Sequence, residues 1–365
     1  MLKRLHLKNF TVFADADFEF VQGLNVIVGT NGTGKSHVLK LGYVAARVTA
    51  RILGDEILAP GPRNWEVYLS QRLKDVLQPE ELGKLVRWGT EKNPASITAE
   101  FKGSSIENLV FNFLSTAKNP TPGGKQPVSV KKYPKQTDLS RAIFIPPKEV
   151  LTLAWLRAIY EKRLLPIDDT YPSLLDLLNE IPLRELNPVA SKALKSLERI
   201  LGGRIELEGE RFYLISNSGR LEMNMVAEGI RKFAMLERLL RNGVLTPENV
   251  LFWDEPEANL NPKLLREMAT VLAELARQGF QIILATHSMG LLKEFHILSR
   301  QKDAKLLPIK YFGLNAQPGY STTVVTAHNF EYLPDVVALE VELEQADDLE
   351  EIFVREDQER HAENR

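Results

Sequence analysis

The sequence predicts an α/β fold in which a mixed or parallel sheet is flanked by helices and interrupted by an inserted lobe of strands and helices. Near the start, the apolar strand 24–28 runs into a Gly-rich turn and a helix over about 35–53. Late in the chain, strand 250–253 is followed by a helix that begins at Asn261-Pro262 and by a second apolar strand, 280–285. This order is typical of a parallel sheet covered by helices. The long segment between the two parts forms the predicted lobe.

The composition limits the class of protein. The chain has 365 residues, an apolar fraction of 44% and 46 Lys and Arg against 48 Asp and Glu, values typical of a globular protein. No apolar run reaches the roughly 18 residues that a membrane span needs, and the first residues lack the apolar segment of a signal peptide. The absence of cysteine excludes disulfides and thiolate sites. We therefore expect a cytoplasmic protein with no membrane partner.

The charge is divided unevenly along the chain. Residues 335–365 hold twelve acidic and three basic residues, a local charge of −9 that leaves +7 on the rest. Apolar residues recur among these acids, which predicts an acidic amphipathic C-terminal helix or tail. The loop 118–137 contains no acid, and its lysines surround Tyr133: Lys118, Lys125, Lys131, Lys132 and Lys135. Such a loop is either a solvated surface or a contact for DNA phosphates.

Periodicity and turn residues divide the chain into a core and a lobe. The predicted core comprises 1–54 and 204–330, and the predicted lobe comprises 55–203. Further strands are predicted at 2–8, 16–21, 96–101, 109–114, 128–133, 142–145, 306–313 and 322–326, with a hairpin at 204–216. Further helices are predicted at 65–88, at 226–241 and, interrupted by prolines, over 150–201.

The Gly-rich turn after the first apolar strand has the spacing of a phosphate-binding loop. Its residues are Gly29, Thr30, Asn31, Gly32, Thr33, Gly34, Lys35 and Ser36, which fit G-x-x-x-x-G-K-[ST]. Glycines let several backbone N–H groups face one anion, and the following helix directs its N-terminus at the phosphates. Lys35 would reach the β- and γ-phosphates of ATP, and the Ser36 hydroxyl would bind Mg²⁺. We include the next helical residue, His37, in the nucleotide site.

Two later segments complete the predicted chemistry. The strand 250–253 ends in Asp254-Glu255, which places Asp254 in the Mg²⁺ shell and Glu255 where it would orient or deprotonate the attacking water. His287 follows the strand 280–285, and strand carboxyl ends in open parallel sheets point into the ligand crevice. His287 would hydrogen-bond the γ-phosphate. The predicted catalytic residues are therefore Lys35, Glu255 and His287, and the predicted metal ligands are Ser36 and Asp254.

Taken together, these residues resemble the ABC-type P-loop ATPase heads of SMC, RecF and OLD proteins. The resemblance covers about residues 1–45, 142–150 and 220–290, with its motifs in the required order. The matching segments are Leu5-His6-Leu7-Lys8-Asn9-Phe10, Gly23–Gly29, Asn31–Ser36 (Walker A), Asp254-Glu255-Pro256-Glu257 (Walker B), Ala258–Pro262 (D-loop) and Thr286-His287-Ser288 (switch histidine). Val226–Lys232 stands where such heads carry a signature that caps ATP bound on a partner subunit.

The candidate signature departs from the common Leu-Ser-Gly-Gly form, since Ala227 and Glu228 precede the one remaining glycine, Gly229. The resemblance implies that these three residues contact nucleotide across a dimer, with Arg231 or Lys232 as a supplement. It also implies that the segment 144–149 replaces the usual glutamine loop. Adenine recognition is left open, because Phe10 and Phe13 are either core residues or neighbours of the base.

The variant signature resembles a stand-alone bacterial ATPase family found beside nuclease genes in anti-phage modules. This resemblance implies an ATP- and Mg²⁺-dependent homodimer, or a higher oligomer of such dimers, that gates a protein effector, either a nuclease or a toxin. A RecF/SMC-like repair ATPase that binds DNA is the alternative. A transporter nucleotide-binding subunit, a self-contained nuclease and a non-ABC P-loop kinase are disfavoured by the altered signature, the lack of a metal-site run after His287 and the presence of His287.

Overall fold

The computed structural model of the chain describes residues 1–54, 61–90, 93–102, 108–156, 159–160, 167–185, 188–301, 306–317, 319–333, 348 and 350–355. Within these residues the strands are β1 (Leu2–Phe10), β2 (Phe13–Glu19), β3 (Leu24–Gly29), β4 (Ala95–Phe101), β5 (Leu109–Phe113), β6 (Ser129–Lys132), β7 (Ala142–Ile145), β8 (Gly203–Glu208), β9 (Arg211–Ser216), β10 (Gly219–Glu222), β11 (Val250–Asp254), β12 (Gln281–Thr286), β13 (Ile309–Asn315) and β14 (Thr323–Ala327). The helices are α1 (Lys35–Gly54), α2 (Pro62–Leu77), α3 (Thr170–Asn179), α4 (Pro188–Leu201), α5 (Glu228–Arg241), α6 (Pro262–Arg277) and α7 (Met289–Ser299).

A six-stranded sheet forms the centre of the molecule. Its order is β14-β13-β3-β12-β11-β7, and every neighbouring pair is parallel except β13 with β14. The strands β3, β11 and β12 are apolar and almost wholly buried, as expected for a parallel sheet covered on both faces. This confirms the predicted α/β fold with a mixed sheet flanked by helices.

Two antiparallel sheets accompany the central one. The first has the order β2-β1-β4-β5-β6, so the strands from 95–132 extend the sheet that the first two strands begin. The second contains β8, β9 and β10. The strand β7 joins the central sheet beside β11. The division into a core of 1–54 and 204–330 and a lobe of 55–203 stays a prediction.

Alternating side chains of the central sheet pack into two separate hydrophobic cores. On one face, Leu251 and Trp253 pack with the helices α3–α7. On the other face, Val250 and Phe252 pack with α1 and with the sheet that contains β1. The helix α1 is therefore held between two sheets, and its start, which follows the phosphate loop, is fixed by burial rather than by propensity alone.

Local sequence explains where several helices begin and end. The helix α6 begins after Asn261, whose side chain accepts a hydrogen bond from the Leu264 amide at 2.9 Å, with Pro262 in its first turn. The predicted helix over 65–88 is wrong in its extent. The helix α2 ends at Leu77 because Gln78 adopts a left-handed backbone with φ of 49° ahead of Pro79, and a 3₁₀ turn follows at Leu82–Leu85.

The predicted acidic tail over 335–365 lies largely outside the described residues. Of this segment the structure describes residue 348 and the helical residues 350–355, where Ile352 and Phe353 are exposed. In the part of the chain that the structure describes, none of the helices combines the length and the apolar character needed to cross a bilayer.

Candidate functional site

Three adjacent strands of the central sheet bring the predicted motifs together. The strand β12 lies between β3 and β11, with Thr286 opposite Val28 and Ala285 opposite Asp254. Because all three strands are parallel, their carboxyl ends share one edge of the sheet. The phosphate loop after β3, His287 after β12 and the acidic pair at the end of β11 therefore lie along this edge in that order.

The phosphate loop has the backbone geometry that its glycines predict. Gly32 and Gly34 have φ of +82° and +97°, a region that glycine adopts without strain. A Cβ at Gly34 would lie 2.7 Å from Val12 and 2.8 Å from Phe13, so the β1–β2 turn packs directly against the loop. Only glycine fits this position.

Lys35 is buried inside the loop that it is expected to serve. Its Nζ donates hydrogen bonds to the carbonyl oxygens of Gly29 at 2.8 Å and Thr30 at 2.9 Å. Burial lowers the pKa of this ammonium, and the carboxylates of Asp254, Glu255 and Glu257 oppose that shift. The carbonyl cradle keeps the cation at the centre of the loop, in a place that suits a polyphosphate.

The first residues of α1 differ in what they offer a nucleotide. Ser36 is exposed, whereas His37 is half-buried with its ring edge-on to Phe10, 6.5 Å between centroids. Burial and the nearby Lys40 lower the pKa of His37, which favours the neutral ring. The contribution of His37 to an anion site would therefore come from its backbone N–H at the helix start.

Asp254 and Ser36 form the oxygen pair predicted for a divalent cation. Burial raises the pKa of the Asp254 carboxyl, and interaction with the Ser36 hydroxyl opposes that shift. Within the described residues there is no cluster of three or more Asp, Glu or His side chains suited to a metal. One carboxylate and one hydroxyl suit Mg²⁺ well, because this ion keeps several waters and takes its other ligands from phosphate.

Glu255 follows Asp254 with an unusual backbone. Its φ is +50°, a left-handed conformation that costs a non-glycine residue about 1 kcal/mol or more. Its amide donates to the Ala285 carbonyl of β12 at 3.0 Å. The Nδ1 atom of His287 lies 3.3 Å from Oε1 of Glu255. The structure thus brings the predicted water-activating carboxylate and the predicted γ-phosphate ligand into contact.

Glu257 is a site residue to which sequence reasoning assigned no role. Its Oε1 accepts hydrogen bonds from the Thr286 hydroxyl at 2.6 Å and the His287 amide at 3.3 Å. This buried carboxylate therefore joins the Walker B segment to the end of β12. Its signal in the sequence is the second glutamate of Asp-Glu-Pro-Glu, which the motif alone leaves without a separate role.

Comparisons with known proteins find related sequences for two parts of the chain. A family model described as "AAA domain, putative AbiEii toxin, Type IV TA system" matches residues 152–293, and a model described as "AAA domain" matches residues 4–40. The glutamate/aspartate import ATP-binding protein GltL of Escherichia coli (strain K12) is 28% identical over 107 residues, covering 29% of this chain and 37% of GltL. The chain thus spans little more than a third of the length of that curated relative.

Solved structures extend the likeness to most of the chain. The SMC head domain from Thermotoga maritima superposes with a TM-score of 0.50 and 14% identity, over 90% of this chain and 99% of that one. The SMC head bound to the C-terminal winged-helix domain of ScpA gives a TM-score of 0.54 and 13% identity, over 89% and 97%. The fold and the motifs are those of an ABC/SMC-like P-loop ATPase.

The candidate signature lies at the start of α5. Ala227 is the N-cap and Glu228 the first helical residue, and both are exposed, whereas Gly229 is buried. A Cβ at Gly229 would lie 2.9 Å from the Asn259 carbonyl, so this glycine is required for contact with the D-loop. Asn259 Nδ2 also donates to Glu228 Oε1 at 2.8 Å. That Ala227, Glu228 and Gly229 bind nucleotide stays a prediction.

Arg231 and Lys232, the two cations after the signature, have partners inside the same subunit. These intramolecular bonds give no support to the prediction that either cation supplements a nucleotide contact. Arg231 Nη1 pairs with Glu149 Oε1 at 2.6 Å, and its Nε donates to the Val226 carbonyl at 2.7 Å. Lys232 is fully buried and donates to the backbone carbonyls of Glu255 and Pro256 in the segment 255–257 that follows β11, called the Walker B loop below. Glu149, in the segment expected to replace the glutamine loop, thereby contacts the signature helix.

Two further predictions concern aromatic and basic residues. Phe10 and Phe13 are fully buried, which favours the core interpretation over contact with adenine. Tyr133 stacks on Trp65 with 5.7 Å between ring centroids, and Lys118 pairs with Glu81 at 2.6 Å. The other lysines of the basic loop are exposed: Lys125, Lys131, Lys132 and Lys135. Their contact with DNA stays a prediction.

Proposed function

We propose that two copies of this ATPase sandwich two ATP·Mg²⁺ and that hydrolysis releases the closed dimer, which gates a partner protein. The observation that carries this proposal is the single sheet edge that holds Lys35, Asp254, Glu255 and His287. The exposed start of α5 supplies the complementary surface, because Ala227 and Glu228 are free to approach a second subunit. Closure on γ-phosphate and release on hydrolysis would give the conformational cycle of such a switch.

Within this proposal each residue of the site has a defined chemical task. Glu255 orients the attacking water and accepts its proton, while His287 donates to the γ-phosphate oxygens. Lys35 and the backbone N–H groups of the phosphate loop offset the charge on the transferred group. Ser36 and Asp254 would hold Mg²⁺, which supplies further neutralisation of the phosphate oxygens when it is bound.

The decisive experiment uses Glu255→Gln, which keeps the size of the side chain and removes the base. With ATP and Mg²⁺ we expect this variant to elute as a stable dimer in size-exclusion chromatography with light scattering, with hydrolysis reduced by roughly 100-fold or more. Lys35→Ala is the control, since it should lose ATP binding and stay monomeric. Wild-type turnover in Glu255→Gln, or a monomer under all conditions, would overturn the proposal.

The partner that we propose is a separate effector, a nuclease or toxin of a cytoplasmic anti-phage or repair module. The description of the family model that matches 152–293 names a toxin and a toxin–antitoxin system, and an SMC head of this fold has been crystallised with the winged-helix domain of ScpA. Both support docking of a protein on this head. Co-purification with the product of a neighbouring nuclease or toxin gene, sensitive to Glu255→Gln, would test it.

A DNA-binding repair ATPase without an effector is the second candidate. The exposed lysines of the edge strand β6 and its flanks favour it: Lys125, Lys131, Lys132 and Lys135. The assay is DNA-stimulated hydrolysis at two salt concentrations, comparing wild type with the variant in which these four lysines are glutamine. Stimulation that is lost in the variant and at high salt supports DNA contact; equal stimulation in both proteins rejects this surface.

A further inference from the structure

Lys232 is a buried cation that donates hydrogen bonds to the backbone of the Walker B loop. Its side chain has no exposed surface. Its Nζ donates to the carbonyl oxygen of Glu255 at 2.9 Å and to that of Pro256 at 3.3 Å. Burying an ammonium group is costly unless it is paired and hydrogen-bonded. An apolar side chain would fill the space beneath the loop without this cost. The lysine therefore needs an explanation beyond packing.

The backbone that Lys232 holds is the strained part of the Walker B loop. Glu255 has a left-handed φ of +50°, its amide donates to Ala285 at 3.0 Å, and its carbonyl also accepts from the Ala258 amide at 3.2 Å. A strained conformation persists only where surrounding contacts over-determine it. Lys232 provides such a contact from a different element, since it belongs to α5 and the loop follows β11.

The same helix begins with the candidate signature. Lys232 lies five positions after Ala227, and Glu228 in the first turn of the helix accepts the hydrogen bond from Asn259 of the D-loop. A rigid helix of this length moves as one body, so a shift of its start is transmitted to the ammonium group one turn further on. The position of the signature and the backbone of Glu255 are thereby mechanically joined within one subunit.

We propose that Lys232 is a positioning residue that fixes the Glu255 backbone from the signature helix, so that the direction of the Glu255 carboxylate depends on where that helix lies. This rests on the proposed role of Glu255 in hydrolysis. In the ATP-sandwich dimer, a signature seated on the partner's nucleotide would thus set the catalytic carboxylate of its own subunit. Capping at one site would prepare hydrolysis at the other.

The test compares Lys232→Met with Arg238→Met. Arg238 is a matched control because it is a buried cation of the same helix and also donates to two backbone carbonyls, those of Leu178 at 2.8 Å and Glu180 at 3.0 Å, which lie outside the Walker B loop. We expect Lys232→Met to lower kcat by roughly 10-fold or more, since small misplacements of a catalytic group have effects of this size. The KM for ATP should change less than about threefold, and Arg238→Met should keep the wild-type kcat.

A second set of variants keeps the proposal testable if Lys232→Met does not fold. Lys232→Gln buries no charge and retains an amide donor, so its kcat should lie between those of wild type and Lys232→Met. Arg238→Gln should keep the wild-type kcat. Adding Lys232→Met or Lys232→Gln to Glu255→Gln should cause no further loss of turnover, because both changes act on the same carboxylate. Equal kcat values in the Lys232 and Arg238 variants, or a full additional loss in the double variant, would overturn the inference.

Failure of the inference can be told apart from failure of the proposed function. An inactive wild-type protein, or a Glu255→Gln variant with wild-type turnover, contradicts the assigned role of Glu255 itself. A wild-type protein that hydrolyses ATP and depends on Glu255, but is indifferent to Lys232, contradicts only the positioning role.

Discussion

The imidazole Nδ1 of His287 lies 3.3 Å from Oε1 of Glu255, although the two residues follow different strands. The distance is set by the sheet, because β11 and β12 are neighbours in parallel register with Asp254 opposite Ala285. Glu257 adds to it by accepting the His287 amide at 3.3 Å. The residue expected to sense the γ-phosphate and the residue expected to activate water are thereby placed to act on the same group.

We predict that His287→Ala lowers kcat by roughly 10- to 100-fold and leaves the affinity for ATP within about threefold of wild type. We expect this because His287 would stabilise charge on the γ-phosphate and orient Glu255, while the phosphate loop would carry most of the binding. Steady-state kinetics and titration with a fluorescent ATP analogue measure the two quantities. His296→Ala is the control, since His296, in α7, packs edge-on against Phe330 away from the site, and it should keep wild-type kinetics. An unchanged kcat in His287→Ala would refute the assignment.

We predict that Gly34→Ala destabilises the protein more than Gly32→Ala. Both glycines have positive φ, but a Cβ at Gly34 would lie 2.7 Å from Val12 and 2.8 Å from Phe13, whereas a Cβ at Gly32 would meet no atom within 4 Å. Strained backbone alone costs roughly 1 kcal/mol, and the added overlap in a packed core costs about 1 to 3 kcal/mol more. Urea unfolding of the two variants measures the difference. Equal urea midpoints for the two variants would show that the β1–β2 turn can move to accommodate a Cβ at position 34.

Sequence reasoning found the parts of the site that rest on local chemistry. The phosphate loop, Asp254-Glu255 and His287 each follow an apolar strand, and parallel strands bring their carboxyl ends together, so the placement of Lys35 beside these carboxylates could be predicted. The fold class followed from the same strand–helix order. In these cases the information lies within about ten residues of each functional group.

Contacts between distant segments could not be read in the same way. Glu149 meets Arg231 across 82 residues, and Lys232 meets Glu255 across 23. A lysine in an amphipathic helix is ordinarily a solvated residue, and its burial follows only from the packing of α5 beneath the Walker B loop. The pairing of β4 with β1 is hidden for a similar reason, since alternation defines a strand and leaves its partner open.

We predict that Asp254→Asn raises the Mg²⁺ concentration for half-maximal hydrolysis by at least roughly 10-fold, because one of the two predicted protein ligands loses its charge. The same variant should not lose thermal stability near neutral pH. Burial raises the pKa of Asp254, so the ionised form destabilises the folded protein there, and the neutral amide removes that cost. Hydrolysis assays across Mg²⁺ concentrations and thermal unfolding give the two results. A lower melting temperature with an unchanged Mg²⁺ requirement would indicate a structural role instead.

Lys232 also leads to a prediction about pH. Burial lowers its pKa from 10.5 to about 8, against the opposing effect of Glu257, Glu228 and Glu255. Between pH 8 and 10.5 the unfolded chain therefore binds more protons at this residue than the folded chain, and stability due to this group rises with pH. We expect the free energy of unfolding of wild type, relative to Lys232→Met, to increase across this range by an amount on the order of 3 kcal/mol.

Chemical denaturation of wild type and Lys232→Met at pH 7.5, 9 and 10.5 would measure this change, and the difference between the two proteins cancels the titration of all other groups that they share. The matched control is again Arg238→Met, because an arginine keeps its charge in both the folded and the unfolded chain throughout this range, so wild type relative to this variant should show no comparable rise. A difference from Lys232→Met that stayed flat or fell with pH would mean that the Lys232 ammonium is stabilised in the interior, and that the carbonyls of Glu255 and Pro256 fully compensate its burial.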